Sequence, residues 1–334
     1  MSRDRTVLSI DGGGIRGIIP AMVLDHLETR TGHRAADLFD LMVGTSTGGI
    51  LALGLAQPDT EKPENSRFSA RDLADLYANR GSQIFGKNLW RQFRSALGIF
   101  DESYSASPLE AALADYFDNN VLGDCRCFTI VTAYDLEARS TTFFKSFKPE
   151  HAQVLCKSAA RATSAAPTFF EPAQLEVAGK STSLIDGAVF LNSPVVSAYA
   201  EALKLFPGDK ITVISLGTGE LAQPISGKKA ASWGKIGWML PVLDCVFDGM
   251  SKAADYQMRL FLGERYQRFQ LTLENATDAL DDTTPENIRA LFEATSTLID
   301  REGVRINKLI KHLQGLNSQG VLFPCQTDWL IRSF

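Results

Sequence analysis

Twice within its first fifty residues the chain runs from a short apolar segment into a glycine cluster and on into helix-spaced apolar residues. Thr6-Val7-Leu8-Ser9-Ile10 is β-branched and apolar, and it ends at Asp11-Gly12-Gly13-Gly14. From Ile18 onward apolar side chains recur at Ile19, Met22, Val23 and Leu27, a helical spacing that Gly32 closes. Residues 38–43 read as a second strand, which enters Gly44-Thr45-Ser46-Thr47-Gly48-Gly49 and then a helix over 50–56. Two strand–turn–helix units in succession require a mainly parallel sheet with helices on its faces. The expected class is α/β in three layers.

The rest of the chain extends this pattern. Residues 70–84, 151–163 and 193–205 read as helices, and 127–133, 141–147 and 211–216 as strands, with a further strand ending at Leu184-Ile185-Asp186. The last third reads as helical, over 244–262 and 287–313. No repeat or linker divides the 334 residues, so one domain is expected, with a core over 5–220 and a helical C-terminal elaboration over 221–334.

Composition removes several classes of function. A net charge of −5 argues against DNA as a partner. No apolar run approaches the ~20 residues of a spanning helix. The start, Met1-Ser2-Arg3-Asp4-Arg5, leaves no space for a secretory leader before the glycines. Five scattered cysteines form no framework, so a reducing cytoplasm is expected. Cys125-x-Cys127 lacks a second ligand pair, and no metal site is expected.

Gly44-Thr45-Ser46-Thr47-Gly48 has the form G-x-S-x-G between a strand and a helix. A sharp turn of this kind projects the serine hydroxyl above the sheet, at a helix N-terminus that favours negative charge. Gly12-Gly13-Gly14-Ile15-Arg16-Gly17 places a row of backbone N–H groups at another helix start, suited to a phosphate or a developing oxyanion. It also fits the dinucleotide pattern G-x-G-x-x-G. Against that reading, Asp11 would sit beside the pyrophosphate, and Gly44-Thr45-Ser46 occupies the place of the ribose-binding acid. Asp186-Gly187-Ala188 follows an apolar strand and supplies a carboxylate that can accept a serine proton. A Ser-Asp-His order would leave only His312, in a Lys- and Gln-containing segment that reads as surface helix; His26, His33 and His151 have no motif context.

Asp11-Gly-Gly-Gly-x-Arg-Gly17, Gly44-Thr-Ser-Thr-Gly48 and Asp186-Gly-Ala188, in this order, resemble the patatin-like phospholipase family. Ser164-Ala165-Ala166-Pro167-Thr168-Phe169-Phe170 and Ser215-Leu216-Gly217-Thr218-Gly219 resemble family segments too. The similarity spans residues 5 to 220. Ala188 stands where many members have Gly. The resemblance implies a Ser–Asp dyad without histidine, Ser46 as nucleophile and Asp186 as base. It implies an oxyanion loop of Gly12, Gly13 and Gly14, with Asp11, Arg16, Gly17, Gly44, Gly48 and Gly187 in support. The implied reaction is cofactor-free hydrolysis of acyl esters of membrane phospholipids.

Bacterial members of this length act as antiphage effectors switched on by cyclic oligonucleotides. The resemblance therefore also implies such an activator, homo-oligomerisation on activation, and a cytoplasmic enzyme that is peripheral at the inner membrane when active. The alternatives are an ungated housekeeping lipase, and a nucleotide-responsive scaffold with little turnover. Two basic amphipathic stretches are candidates for membrane contact, lid or oligomer contact. The first, Leu89 to Phe100, interleaves Arg91 and Arg94; the second runs from Lys228 to Leu240.

Overall fold

The computed structural model describes residues 2–84, 107–167, 169–221, 224–238 and 241–317. Its centre is an eight-stranded sheet. Strands β1 (Asp4–Ile10), β2 (Leu41–Gly44) and β3 (Phe128–Asp135) run parallel, followed along the chain by β4 (Ser140–Lys145), β5 (Ala173–Val177) and β6 (Lys180–Asp186). Then come β7 (Lys210–Leu216), β8 (Glu220–Leu221), β9 (Tyr266–Phe269) and β10 (Thr272–Leu273). The main sheet has the order β5-β6-β3-β2-β1-β7-β9 with β4 against β3, and β8 pairs with β10 beside it.

The central strands are apolar on both faces, as sheets covered on both sides demand. Leu8, Ile10, Met42, Val131 and Ile214 point into one core, and Val7, Leu41, Val43, Ile130 and Val213 into the other. The alternation along each strand divides the molecule into three layers. Helices Ile18–Thr31, Thr47–Ala56 and Ala70–Ile84 cover the first face; Val195–Leu205 and Pro241–Leu262 cover the second. Each fully buried Val, Leu or Ile contributes ~1.5–3 kcal/mol relative to exposure, so these strands anchor the fold. Gly32 ends the first helix in the left-handed region at φ 76° and donates to the Glu28 carbonyl.

Three sequence expectations change. The helix expected over 151–163 is two, Pro149–Ala152 and Cys156–Thr163, because Leu155 between them makes a bridge to Val121. The helix expected over 287–313 is also two, Pro285–Arg301 and Gly303–Asn317, which meet at Glu302 and Gly303. The last third is not only helical: β9 returns to the main sheet beside β7. The stretch from Leu89 to Phe100 lies outside the described residues. In the second basic stretch Trp238 is exposed and its ring meets Trp233 edge-on at 5.2 Å, while Met239 and Leu240 lie outside the described residues. Among the described residues no helix is long and apolar enough to cross a membrane.

Candidate active site

β1 is flanked by β2 on one side and β7 on the other, both parallel to it. At such a point the connections diverge and leave a crevice at the carboxyl ends of the strands. The glycine loop leaves β1 there, Ser46 follows β2, and Thr218 follows β7.

Ser46 has φ 55° and ψ −125°, a strained conformation for a side chain that is not glycine. Its neighbours explain how the turn closes. A Cβ at Gly44 would strike the backbone of Gly48, and one at Gly48 would strike the Ile10 carbonyl. The Ser46 amide donates to the Thr163 hydroxyl at 2.9 Å. Gly17 packs against the Thr47 side chain, and Thr47 donates to the Tyr77 hydroxyl at 2.6 Å.

Asp186 arrives by a different route. β2 pairs with β3 along 128–131, and β6 runs antiparallel to β3 along 133–135. β4 pairs with residues in both stretches and so occupies the opposite edge of β3. β2 and β6 therefore share one edge and meet end to end, Gly44 opposite Val131 and Asp186 opposite Ala133. In this junction the Ser46 hydroxyl faces the Asp186 carboxylate closely enough to stabilise its charge. Ala188 donates its amide to Asp186 Oδ1 at 2.8 Å, and the Asp186 amide donates to the Ala165 carbonyl at 2.9 Å. Gly187 sits against the Thr132 side chain. Only 2% of Asp186 is exposed, and burial raises its pKa from 3.8 to about 7 despite the opposing influence of the Ser46 hydroxyl and the Ala188 amide.

The glycine loop is braced throughout. Gly12 donates its amide to the Asn192 carbonyl at 3.0 Å, and the Gly12 carbonyl accepts from the Thr218 hydroxyl at 2.6 Å. Arg16 Nε donates to the Gly13 carbonyl at 3.3 Å. Gly14 has φ 57° and lies against the Leu280 carbonyl, which accepts the Ile15 amide at 2.8 Å. Among the described residues the Gly13 and Gly14 amides have no acceptor. Of the three glycines expected in the oxyanion loop, Gly12 has its N–H bonded to the Asn192 carbonyl.

Asp11, which precedes the glycines, forms an ion pair of 2.7 Å with Arg268 of β9. Arg268 donates as well to the Ser215 hydroxyl at 2.7 Å. Arg268, Leu280 and Asn192 carry no motif, and only the Gly217-Thr218-Gly219 segment signalled this wall of the site in advance.

A cavity of about 350 Å³ opens over these groups. It contains Ser46, Asp186 and the three glycines. Pro167, Phe169, Phe170, Val189, Phe247 and Leu280 give it apolar walls. Its remaining charged lining is Asp11 and Arg16 with Glu220, Asp248, Asp278 and Asp281. None of the four histidines lines it. His151 accepts the Lys145 amide at its Nδ1, and His312 is half-buried rather than on the surface, with Nε2 enclosed and, among the described residues, unpartnered.

The patatin-like phospholipase model matches residues 8–199. The chain belongs to the patatin-like phospholipase family. Patatin-like protein 2 of Oryza sativa subsp. indica is 28% identical over 94% of this chain and 88% of its own length. Patatin of Solanum tuberosum is 28% identical, over 89% of this chain and 84% of its own. Among solved structures, human GIVD cytosolic phospholipase A2 aligns with a TM-score of 0.46 at 11% identity, over 93% of this chain and 60% of that one. The patatin-like chain is an ester hydrolase of the lipid acyl hydrolase type, and its fold is the three-layer α/β arrangement expected of that family.

Proposed function

We propose that this patatin-like chain cleaves acyl esters of membrane phospholipids, as a phospholipase A, through a Ser46–Asp186 dyad. The observation that carries the reading is the placement of the Ser46 hydroxyl beside a buried carboxylate raised to about 7, both lining the cavity bordered by the glycine loop. A carboxylate near that value is a far better acceptor for a hydroxyl proton at neutral pH than an ordinary aspartate.

The steps follow from this arrangement. Ser46 Oγ attacks the ester carbonyl carbon as its proton passes to Asp186. The carbonyl oxygen becomes an oxyanion, and the uncommitted Gly13 and Gly14 amides, with the helix N-terminus after Ser46, stabilise it. When the tetrahedral intermediate collapses, the C–O bond to the lysolipid breaks and Asp186 returns the proton to the leaving alkoxide. Water then gives its proton to Asp186 and attacks the acyl-Ser46 carbonyl. Collapse of that second intermediate returns the proton to Ser46 and releases the fatty acid. The apolar walls suit an acyl chain.

A fluorophosphonate probe tests the dyad. It should label wild type at Ser46 and leave Ser46→Ala unlabelled; labelling that persists in the variant overturns the assignment.

Gating by a cyclic oligonucleotide, with an antiphage role and assembly at the inner membrane, is the finer part of the proposal and is supported by the family resemblance. The carboxylates Glu220, Asp248, Asp278 and Asp281 lining the cavity repel polyphosphates, so the activator binds away from the cavity. Hydrolysis and light scattering over a panel of cyclic di- and trinucleotides decide it. Full activity without nucleotide, and no change in rate or size with any of them, leaves the ungated lipase.

A further inference from the structure

Asp281 has no part in the hydrolytic steps, yet it is a carboxylate inside the same cavity. It is only 7% exposed. Among the described residues its own backbone N–H is the only hydrogen-bond donor to it. A buried carboxylate without a cation or a second donor is a destabilising feature, because burial penalises its charge. Accordingly its pKa rises from 3.8 to about 6, still ionised at neutral pH. Groups of this kind concentrate where a ligand completes them.

The surroundings define the ligand's chemistry. Asp278 lies three residues before Asp281 on the same loop, exposed at the rim. Glu220 on β8 and Asp248 on the helix Pro241–Leu262 also line the cavity. Lys252 pairs with Asp248 at 2.9 Å and also feels Glu220, which leaves the Asp278–Asp281 side the more negative. Arg16 is the single cation among the described lining residues, and its Nε is bonded to the Gly13 carbonyl. Phe247 adds an aromatic ring beside Asp248, and aromatic faces attract alkylammonium groups.

We propose that this wall is a headgroup subsite in which Asp281, aided by Asp278, binds the ammonium of a zwitterionic phospholipid. The patatin-like chain then prefers choline or ethanolamine headgroups over anionic glycerol ones. The subsite rests on the reading of Ser46 and Asp186 as the hydrolytic pair and adds to it the substrate class. Leu280, adjacent to Asp281, packs directly on Gly14. A headgroup held at Asp281 therefore sits beside the oxyanion loop, where the ester carbonyl must lie. The carboxylate attracts the cation and repels an uncompensated phosphate, so discrimination arises from both partners.

Monomeric dihexanoyl phospholipids, used below their micellar concentration, separate the headgroup from the charge of a lipid surface. Wild type, assayed with and without the cyclic-nucleotide panel, should show kcat/KM about tenfold higher for phosphatidylcholine than for phosphatidylglycerol. Asp281→Asn should bring that ratio close to one, and Asp281→Glu should retain most of it. A wild-type ratio of one or below, or a ratio unchanged in Asp281→Asn, overturns the subsite. If thermal melting shows Asp281→Asn to be unfolded, Asp278→Asn at the exposed rim is read instead. It should lower the ratio about two- to threefold, and an unchanged ratio again overturns the subsite. Hydrolysis of p-nitrophenyl butyrate distinguishes the two levels of failure. Wild type that cleaves this ester but ignores the headgroup refutes the subsite alone. Wild type that cleaves no ester refutes the hydrolytic pair and the subsite with it.

Discussion

Arg268 and Asp11 are 257 residues apart in sequence and 2.7 Å apart in space, with only 4% and 2% of their side chains exposed. Arg268 also reaches the Ser215 hydroxyl, so its guanidinium ties β9 and β7 to the first residue of the glycine loop. Among the described residues Asp11 Oδ1 has no partner, which makes the pair sensitive to the loss of either member. Attraction to Asp11 holds the Arg268 pKa above the ordinary arginine value against the effect of burial.

Removing the guanidinium strands a buried carboxylate beside the glycine loop. Arg268→Met should lower stability by ~3–5 kcal/mol. At temperatures where the variant remains folded, kcat should fall more than KM rises, because the loop that holds the oxyanion is displaced. Urea denaturation and steady-state kinetics on one preparation check both. Wild-type stability in Arg268→Met would mean that the pair is not closed in solution.

Ser46→Ala removes one half-buried hydroxyl lining the cavity and leaves the backbone bonds of the elbow in place. Hydrolysis should fall by at least ~10³-fold, while the melting temperature stays within a few degrees or rises, since alanine retains the strained φ without adding bulk. Retained hydrolysis in a cleanly folded variant would refute the nucleophile assignment.

The pH profile follows from Asp186. Its carboxylate must be ionised to take the Ser46 proton, so kcat/KM should rise with pH through about 7. Asp11 is paired with Arg268, and Asp281, another buried acid of the cavity, ionises about one unit lower, so its negative charge is already present. Asp186→Asn should cost ~10²–10⁴-fold in kcat and abolish this limb. His312→Ala should change neither rate nor profile. Stability has the opposite sign. Between about pH 4 and 7 the folded chain binds more protons at Asp186 than the unfolded chain, so ionising this group destabilises the fold as pH rises. Asp186→Asn should therefore gain stability on wild type across that window, as measured by melting at pH 5 and pH 8. A variant that loses the same margin at both values would contradict the raised pKa.

Gly14→Ala tests the narrowed oxyanion loop. The position combines φ 57° with contact against the Leu280 carbonyl. A methyl group costs ~1–2 kcal/mol of backbone strain there and must also push the 278–281 loop away. Hydrolysis should drop by ~10²-fold or more. Gly32→Ala serves as the comparison, because it shares the left-handed backbone but faces open space. It should lose stability without a matching loss of rate. Equal kinetic effects at the two glycines would remove Gly14 from the site.

What the sequence by itself determined is local. The elbow is legible at Ser46 because its constraint is internal: Gly44 and Gly48 must lack side chains for their own turn to close. The strands through Val7 and Val43 are legible because doubly covered strands need unbroken apolar runs, and Gly32 marks its helix end because only a left-handed residue completes it. The nearness of Asp186 to Ser46 depends instead on β2 and β6 sharing one edge of β3, a pairing that no periodicity encodes. The sequence Tyr-Gln-Arg-Phe of β9 reads the same whether Arg268 faces water or Asp11. The Gly12 amide is spent on Asn192 only because a chain segment 180 residues later lies against it. Tertiary structure decided these features because hydrogen bonds and ion pairs form between whatever groups the packed sheet brings together, and a local pattern records the burial of a residue but not the identity of its distant partner.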